Sequence, residues 1–579
     1  MQKSAIYLGV LSIFTCLNIA YSQTKQTDSL FCSPLDIPLF LSGNYGEIRA
    51  SHFHAGIDFK TMAETGKRVV SVADGYISRI KIESGGYGKA LYINHPNGYT
   101  SVYAHLEEFT PEVEKYVRDY QYEHKKFGVN IFPRSNEFPL KKGDMIAYSG
   151  NTGRSGGPHL HFEIRRTRDE VPLNVLLFPF NIKDNIRPVF NQLIIYPLSD
   201  SSFVDSAQEK VIFPVSGNND KYSIKTNPVD FYGPVGFGIE AYDYLNGSPN
   251  RCGIYRVELL INDELYYSHE IDEIAFDKSR YINSAVDQEL YYTKKDKVMK
   301  LYKDPNNRLK IYNTLVNNGI YKPGTDSVCF VTINIFDVEG NNASLNFTMK
   351  LNEEFRDADR KTEGSGFVAR LPYNKSNYYK SDEVVLAFPT YAFYTDEDLY
   401  CEKTDSSDKF LSPVFKINEP YSVIHKQYTL KIKPYSTVKE NYNKLVVVNL
   451  GNGNGNGIKS TGGEWKEGFV SARTRSFGYF AISIDTIPPV IRPVSFKNNA
   501  TYGAGAEISF KITDDLSGID TYNGYIDGKW ALFEYDSKND KLFYKVDTKR
   551  LEKGKLHELK VYVMDEKKNI EVYHGKFYY

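Results

Sequence analysis

The sequence predicts a mainly β protein built from several domains. At roughly 100–200 residues per domain, the 579 residues correspond to about three to five domains. The chain has 46 Tyr and 35 Phe but only 2 Trp, and Tyr and Phe favour strands. Short alternating runs bounded by Gly, Pro or Asn recur along the chain, which is typical of short antiparallel strands joined by turns.

Composition and charge narrow the classes of protein to consider. Hydrophobic residues make up 41% and charged residues 25% of the chain, as in ordinary folded proteins. Lys and Arg number 71 and Asp and Glu 72, for a formal net charge of -1. This balance argues against a strongly basic nucleic-acid binder, so no nucleic acid is expected as a partner.

The first 22 residues have the features of a secretory signal peptide. A mostly apolar stretch over residues 5–19 follows Lys3, and residues 20–22 (AYS) fit a small-x-small cleavage site. A lipoprotein processed at Cys16 is less favoured, because Thr precedes that Cys. No later apolar run is long enough to span a bilayer. We therefore expect a protein secreted across the inner membrane, periplasmic or associated with the cell envelope, without a transmembrane segment after signal cleavage.

The remaining cysteines are too few for a disulfide framework. Four are left after the signal peptide: Cys32, Cys252, Cys329 and Cys401. Cys252 and Cys329 fall in one predicted domain, where a disulfide and two buried thiols are both open alternatives.

The first predicted domain covers residues 30–182 and contains one interruption. Its strand-like runs stop over residues 107–139, where period-two alternation is missing. Thr110 and Pro111 favour the start of a helix, and apolar residues then recur at helical spacing from Val113 to Tyr120. We interpret this segment as a helical insertion in an antiparallel β-sheet domain.

Three further β-rich domains are predicted over residues 187–352, 365–485 and 490–579. The linkers before the first and last of these contain the sequences DNIRP and DTIPP. Aromatic-rich strands and domain sizes resemble immunoglobulin-like β-sandwiches for the second and fourth domains, and the third is expected to be a β-rich sandwich.

A weak internal repeat links the second and fourth domains. Asp337 and Asn341 mirror Asp565 and Asn569, and the segment 243–247 resembles 515–518 around a shared Asp and Gly. Calcium binding by these Asp residues is one interpretation. Asx hydrogen bonds within turns are the favoured one, because Asp and Asn side chains commonly bond to nearby backbone groups.

Three strand-like segments of the first domain each present histidine on a polar face over an apolar backing. Period-two alternation places His54, Gly56 and Asp58 on one face, with the glycine leaving open space in front of the strand. The same rule puts His159 and His161 together in a second segment, and His105 on the face of Tyr103 in a third.

These segments could gather four His and one Asp around a single pocket. Imidazole nitrogens and one carboxylate suit Zn²⁺, and three protein ligands leave a fourth position for water. Such a metal acidifies water and polarises a carbonyl, which amide hydrolysis needs. The other histidines could orient the water, transfer protons or stabilise the oxyanion.

The same residues resemble the lysostaphin-like (LytM-type) zinc metallopeptidases of bacterial cell-wall metabolism, over about residues 39–180. The resemblance is carried by HAGIDF, GGYGKALYINHPNGYTSVYAHL and KKGDMIAYSGNTGRSGGPHLHFEIR. It implies that His54, Asp58 and His161 are the zinc ligands and that His105 and His159 are the catalytic pair. It also implies a substrate among peptidoglycan stem peptides or cross-links.

Other histidines of this domain are interpreted as bystanders. His52 lacks the Gly and Asp spacing of His54 and is expected at the rim. His95 precedes a hairpin turn and is expected to be structural, and His124 is expected to be exposed on the insertion. The Gly-rich loop of residues 151–155 could line a substrate groove or simply form a tight turn.

Three hypotheses about function follow. The leading one is a secreted zinc endopeptidase that cleaves peptidoglycan peptides. The alternative is an envelope binding or scaffold protein, in which the β-sandwich domains bind envelope protein partners and the peptidase is weak or conditional. A third has the same chemistry act on glycine-rich proteins.

Overall fold

The structure is a computed structural model that describes residues 30–324, 327–357, 366–404, 409–451 and 457–579. The predicted signal peptide, residues 1–22, lies outside the described residues. In those described ranges, no helix is both long and apolar enough to cross a membrane.

Strands dominate the chain, so the prediction of a mainly β fold is confirmed. The first unit, whose residues 30–182 are all described, forms two sheets around an apolar core. Its strands are β1 (Leu41–Gly43), β2 (Ile57–Lys60), β3 (Arg68–Val70), β4 (Gly75–Ile82), β5 (Lys89–Asn94), β6 (Tyr99–Leu106), β7 (Glu108–Phe109), β8 (Val129–Ile131), β9 (Pro139–Leu140), β10 (Met145–Tyr148), β11 (His159–Arg166) and β12 (Val171–Leu173).

The order of the strands in the large sheet decides which residues meet. It runs β1-β2-β11-β6-β5-β4-β8, with β12 beside β11 and β9 beside β4, and a small sheet has the order β3-β10-β7. Neighbouring strands β2, β11 and β6 are antiparallel, and their registers pair Asp58 with His161 and His161 with Ala104. The opposite face packs into the core through Phe59, Leu160 and Phe162, all with 0% exposure.

The predicted helix in the insertion is confirmed as α1 (Pro111–His124). A Pro begins it, acidic residues occupy its first turn, and it ends at Lys125 in the left-handed conformation (φ 50°). Its apolar face buries Val113 and Val117. The insertion is not wholly helical, because β8 pairs with the edge strand β4 and extends the large sheet.

The second unit also contains short helices, and its core is continuous with that of the first unit. Its helices are α2 (Phe276–Ser279), α3 (Ile282–Ala285) and α4 (Gln288–Lys294). Its strands are β13 (Val189–Pro197), β14 (Phe203–Val204), β15 (Val211–Asn218), β16 (Lys221–Ile224), β17 (Val229–Tyr232), β18 (Val235–Tyr242), β19 (Arg256–Ile261), β20 (Glu264–Glu270), β21 (Met299–Lys300), β22 (Tyr312–Leu315), β23 (Val328–Phe336) and β24 (Asn342–Leu351).

The second unit supports the loop that precedes the candidate site. The side chain of Asn44 donates to the carbonyl of Gly253 at 2.8 Å and accepts from the backbone N–H of Gly253 at 2.8 Å. The Tyr45 hydroxyl donates to the carbonyl of Pro172 and accepts from the backbone of Ile274. Residues 44–45 are therefore fixed from both units.

Cys252 and Cys329 are not joined by a disulfide among the described residues, which favours the thiol alternative.

The third unit, in its described part, forms two five-stranded sheets and one strand pair. Its strands are β25 (Ala369–Leu371), β26 (Asn377–Lys380), β27 (Val384–Phe388), β28 (Glu397–Leu399), β29 (Cys401–Thr404), β30 (Val414–Ile417), β31 (Tyr428–Ile432), β32 (Leu445–Asn449), β33 (Lys459–Ser460), β34 (Glu464–Lys466), β35 (Phe469–Thr474) and β36 (Gly478–Ile484).

The fourth unit, fully described, consists of two four-stranded sheets that share one core. Its strands are β37 (Val490–Pro493), β38 (Glu507–Thr513), β39 (Ile519–Ile526), β40 (Lys529–Ala531), β41 (Glu534–Asp536), β42 (Lys541–Lys545), β43 (Leu556–Asp565) and β44 (Ile570–Tyr578). Sandwich packing is thus present there, while the immunoglobulin-like character and the domain boundaries stay predictions.

The fourth unit packs against the insertion helix of the first. The ring of Tyr122 on α1 contacts the ring of Trp530 edge-on, with centroids 5.3 Å apart. The Arg550 guanidinium lies 3.3 Å from the centroid of the Tyr122 ring. Lys89 of β5 lies between Glu114 of α1 (3.9 Å) and Glu534 of the last unit (3.6 Å). The insertion is therefore a contact surface for the last unit.

Candidate metal centre and active site

His54, Asp58 and His161 converge so that one donor atom of each lies within 4.8 Å of the other two. The Nε2 of His54 is 3.1 Å from Oδ1 of Asp58 and 3.0 Å from Nδ1 of His161, and that Nδ1 is 2.9 Å from Oδ1 of Asp58. All three residues are buried. Two imidazole nitrogens and one carboxylate oxygen therefore form a compact donor set.

His54 reaches this cluster from a loop, because β2 begins only at Ile57. The strand-face argument for His54 was therefore wrong. Its backbone instead exchanges hydrogen bonds with Gly46 and Glu47. Its Nδ1 donates to the carbonyl of Asn44 at 2.8 Å, which leaves the Nε2 lone pair facing Asp58.

Gly56 does not leave open space in front of the strand, as the sequence suggested. A Cβ at this position would lie 2.4 Å from the carbonyl oxygen of Phe162 and 3.1 Å from Cε1 of His161. The glycine is required because the backbones of β2 and β11 approach closely there. It brings Asp58 and His161 into the same register.

Glu163 is a functional residue that the sequence reasoning missed. It is fully buried on the same face of β11 as His161, and its Oε1 accepts from Nε2 of His161 at 2.8 Å. Its Oε2 accepts from Nε of Arg165 at 2.6 Å, and the Tyr87 hydroxyl donates to Oε1. Period-two alternation carried two residues beyond His161 would have found it.

These contacts set the protonation of His161 and Glu163. Because Nε2–H of His161 is held by a carboxylate, its Nδ1 is the atom available to a metal. Burial alone would lower the pKa of His161, but hydrogen bonds to Asp58 and Glu163 raise it to about 9, so a metal that binds Nδ1 displaces a proton from it. Burial would raise the pKa of Glu163, but Arg165 and His161 bring it to about 2, so Glu163 is anionic.

Asp58 is also anionic. Burial disfavours its charged form, but His54, His159 and His161 surround it and hold its pKa well below the usual value. Its second oxygen, Oδ2, lies 3.1 Å from the Arg49 guanidinium. Only Oδ1 faces the three imidazoles.

His159 and His105 lie beside the cluster, and each bonds to a backbone carbonyl through Nδ1. Nδ1 of His159 donates to the carbonyl of Gly157 at 2.8 Å, and Nδ1 of His105 donates to the carbonyl of Thr152 at 2.9 Å. Each therefore has Nε2 as its acceptor atom, and that of His159 is 3.5 Å from Oδ1 of Asp58. The two rings are 4.8 Å apart. Burial and the neighbouring His161 and His159 lower the pKa of His105 to about 3, so this imidazole is neutral.

His105 reaches the site through a break in strand alternation. The sequence placed it on the same face as Tyr103, but Tyr103 is fully buried in the core against Phe162. His105 instead lies 5.8 Å from the ring of His161, with a φ of 60° at the end of β6. The left-handed backbone turns its side chain to the site face.

The remaining histidines of the unit have other surroundings. His52 is exposed. His95 is 4% exposed and bonds to the carbonyl of Asp74 and the hydroxyl of Ser101. His124 is exposed at the end of α1 and stacks on Tyr120.

The Gly-rich loop of residues 151–155 forms one rim of the site. The Thr152 hydroxyl donates to the carbonyl of Leu106 at 2.8 Å, while its own carbonyl holds His105. The neighbouring carbonyl of Asn151 accepts from the ammonium of Lys538 in the fourth unit. The loop therefore positions a candidate catalytic histidine, while its lining of a substrate groove stays a prediction.

The donor set fits a tetrahedral zinc site. Zinc bonds of about 2.0–2.1 Å place neighbouring donors about 3.3 Å apart in a tetrahedron, and the three separations here are 2.9, 3.0 and 3.1 Å. Both imidazoles have their second nitrogen engaged, by Asn44 and Glu163. This is the usual outer support of histidine ligands.

Comparison with protein families gives two matches. The model of peptidase family M23 matches residues 52–122 and 135–174. The model of the Zu5-like domain matches residues 368–485. The segment left out of the first match, residues 123–134, lies inside the predicted insertion.

Similar curated proteins match the same part of the chain. A DD-carboxypeptidase/endopeptidase Mpg of Neisseria meningitidis serogroup B is 38% identical over 125 residues, which are 21% of this chain and 23% of that protein. An uncharacterized metalloprotease of Haemophilus influenzae is 33% identical over 125 residues, 21% of each chain. The chain thus spans less than a quarter of the length of these two relatives.

Solved structures give partial matches of the same kind. A zinc-containing peptidase from Vibrio cholerae is 26% identical over 25% of this chain and 39% of that one, with a TM-score of 0.19. The catalytic domain of lysostaphin from Staphylococcus simulans is 21% identical over 24% of this chain and 90% of that one, with a TM-score of 0.17.

Proposed function

Because residues 52–122 and 135–174 belong to a metallopeptidase domain of family M23, of the LytM type, we propose that the protein is a zinc-dependent endopeptidase of the cell wall. It hydrolyses peptide bonds in peptidoglycan stem peptides or cross-links. One observation carries this proposal: two imidazoles whose Nδ1 atoms are bonded to backbone carbonyls stand next to a compact His-Asp-His donor set.

His54, Asp58 and His161 would hold the metal through Nε2, Oδ1 and Nδ1. Zinc bound there supplies a Lewis acid that polarises the scissile carbonyl and acidifies water. Asn44 and Glu163 hold both imidazoles in the tautomer that presents a lone pair. Glu163 is itself held by Arg165 and Tyr87, which keeps it ionised and fixed.

His159 and His105 handle the proton of the attacking water. In both, Nδ1 is bonded to a backbone carbonyl, so the neutral tautomer presents Nε2 as a hydrogen-bond acceptor. His159, next to Asp58, takes the proton as the water oxygen bonds to the peptide carbon, and that proton then passes to the departing amine. Neutral His105 suits orientation of the water, and does not suit donation to an oxyanion.

Peptidoglycan is the preferred substrate because of the similar Neisseria protein, whose name records a DD-carboxypeptidase/endopeptidase activity. Envelope protein partners, bound through the β-rich units, and secretion into the periplasm or cell envelope complete the proposal. The signal peptide predicted from residues 1–22 of the sequence supports this proposed location.

Synthetic cross-link peptides test the chemistry directly. Zinc-loaded protein lacking residues 1–22 should release new amino termini from them, while His159→Ala should release none above the uncatalysed background. Casein and a glycine-rich protein serve as alternative substrates. Cleavage of those proteins, with no cleavage of the cross-link peptides, would contradict the proposed substrate.

The scaffold alternative is favoured by the extent of the β-rich units, which make up most of the chain. A His159→Ala protein that still co-sediments with sacculi as well as the unmodified protein, when the unmodified protein leaves those sacculi intact, would support that alternative instead.

A further inference from the structure

Two clusters of three aspartates lie at unit boundaries and share no residue with the histidine site. The first consists of Asp184, Asp243 and Asp337, and the second of Asp485, Asp514 and Asp565. In each cluster one carboxylate oxygen of every residue lies within 4.8 Å of the other two. Two oxygens bound to one Ca²⁺ ion at about 2.4 Å can be at most about 4.8 Å apart, so this spacing suits a shared cation.

Both clusters are built from the same three positions of a β-rich unit. The first Asp lies in the linker that enters the unit, namely Asp184 in DNIRP and Asp485 in DTIPP. The second directly follows a strand, Asp243 after β18 and Asp514 after β38. The structure therefore corrects the repeat seen in the sequence, where Asp515 was matched to Asp243.

The third position combines the turn and the cluster. Asp337 follows β23 and accepts from the backbone and the side chain of Asn341 at 2.8 and 2.6 Å. Asp565 ends β43 and accepts from Asn569 in the same way, at 2.9 and 2.7 Å. The predicted Asx hydrogen bonds are thus present.

The Asn side chain also ties each turn to its linker. The amide of Asn341 donates to the carbonyl of Asp184 at 3.4 Å, and that of Asn569 donates to the carbonyl of Asp485 at 3.1 Å. The same set of hydrogen bonds occurs in the second and fourth units, although these units share little sequence beyond these polar positions.

In each cluster, one buried carboxylate oxygen has no hydrogen-bond partner. Asp243 is 2% exposed, and its buried Oδ1 has no hydrogen-bond partner. In the second cluster, Oδ1 of Asp514 and the hydroxyl of Ser517 are buried without a partner, and Ser517 is 7% exposed. The backbone N–H of Ser517 donates to Asp485, which places Ser517 at the cluster.

Direct ion pairs with Lys or Arg also do not compensate the carboxylates of these clusters in the described residues. In the ranges that the structure describes, none of the six aspartates forms an ion pair with Lys or Arg. At the second cluster, the Lys444 ammonium donates to the Asn569 side chain at 2.6 Å, and Lys567 interacts electrostatically with Asp485 and Asp565 without forming an ion pair. Burial, followed by repulsion from Asp184 and Asp337, raises the pKa of Asp243 to about 9. Without a cation Asp243 is therefore protonated near neutral pH, and its ionised form needs a positive partner.

We propose that each aspartate cluster binds one Ca²⁺ ion, which fastens the linker to the end of the β-rich unit that follows it. Calcium is the class of ion that carboxylate, carbonyl and hydroxyl oxygens select, whereas zinc prefers the nitrogen donors found in the first unit. Two calcium ions per chain would then fix the joints at Asp184 and Asp485.

Calcium titration of the whole protein tests this. The full chain lacking residues 1–22 is freed of metal, reloaded with one equivalent of zinc, and titrated with CaCl₂ by calorimetry. Two equivalents should bind, with Kd of about 10⁻⁴–10⁻³ M as in other extracellular calcium modules. At 10 mM CaCl₂ the Tm should rise by about 3–6 °C. Absence of both effects would overturn the proposal, as would an equal response to MgCl₂ alone.

Variants separate binding from folding. Asp243→Asn and Asp514→Asn should each lose one of the two equivalents, and the double variant should lose both together with the calcium-induced rise in Tm. Because removal of one carboxylate relieves repulsion, their Tm without calcium should not fall. Asp515→Asn, at an exposed residue next to the second cluster, is the matched control and should keep two equivalents. A lower calcium-free Tm with unchanged calcium binding would show that the clusters are structural turns only.

Discussion

The His54, Asp58 and His161 cluster differs from the two aspartate clusters in how its donors are prepared. In the first unit, both imidazoles have their second nitrogen held by a buried acceptor, and only one carboxylate contributes charge. In the β-rich units, three carboxylates meet and a buried oxygen lacks any partner. Donor type and outer partners thus distinguish a candidate site for a borderline metal from a candidate site for a hard cation within one chain.

Loss of a histidine ligand should give the largest effect. His161→Ala removes Nδ1 and leaves Glu163 and Asp58 without their imidazole partner. Peptidase activity should fall by about 10³-fold or more, since several kcal/mol of electrophilic stabilisation are lost. Activity on cross-link peptides and zinc content measure the loss.

The same variant sharpens the comparison. His161→Ala should keep the calcium-induced rise in Tm, whereas Asp243→Asn should keep zinc and peptidase activity. Loss of both properties in either variant would mean that the two classes of site are not independent.

The next effect concerns the outer support of His161. Glu163→Gln keeps the size of the side chain but removes the charge that holds Nε2–H, so zinc affinity should fall by about 10–100-fold. Competition with a zinc-binding dye measures that affinity. Glu170→Gln is the matched control, because Glu170 also contacts Arg165 but is exposed. An unchanged zinc affinity in Glu163→Gln would contradict the role given to Glu163.

A smaller effect is expected from the junction of the first two units. Asn44→Ala removes two hydrogen bonds to the backbone of Gly253 and leaves the N–H and carbonyl of this half-buried residue without that partner. The free energy of unfolding should fall by about 1–3 kcal/mol. Because the backbone carbonyl that holds His54 is retained, zinc affinity should fall by less than in Glu163→Gln. The reverse order would show that the junction, and not Glu163, controls the metal site.

The smallest effect concerns the contact of the last unit with α1. The chain has only two Trp, so Trp465→Phe leaves Trp530 as the single reporter of the contact with Tyr122. In that background, Tyr122→Ala should shift Trp530 emission to the red because the ring gains water. In the Trp530→Phe background the same change should leave Trp465 emission as it was, since Trp465 stacks on Tyr442. A shift of Trp465 would contradict a local contact.

Strand alternation predicted part of the site well and part of it badly. His159 and His161 lie in a regular strand, so period two gave their common face. His54 lies in a loop and His105 lies at a left-handed residue, and their approach depends on tertiary pairing that alternation does not encode. The same rule could have found Glu163, because it continues along β11.

The fold class was predictable for a simple reason: aromatic-rich alternating runs and turns are local features. Only part of each aspartate cluster could be predicted from the sequence. The turn residues Asp337 and Asn341 are close in sequence, but the linker Asp184 and the strand-end Asp243 join them only through packing. The role of the insertion as a contact surface for the last unit was not predictable, since its partners Trp530 and Arg550 lie more than 400 residues away in the sequence.

Mass analysis of peptidoglycan digests tests the central claim most directly. Sacculi are incubated with the zinc-loaded protein, with the metal-free protein, and with His159→Ala. The account predicts soluble peptides with new amino termini, cut at one type of bond, from the zinc-loaded protein only. Sacculi left intact by a protein that carries one zinc per chain, or equal digestion by His159→Ala, would contradict it.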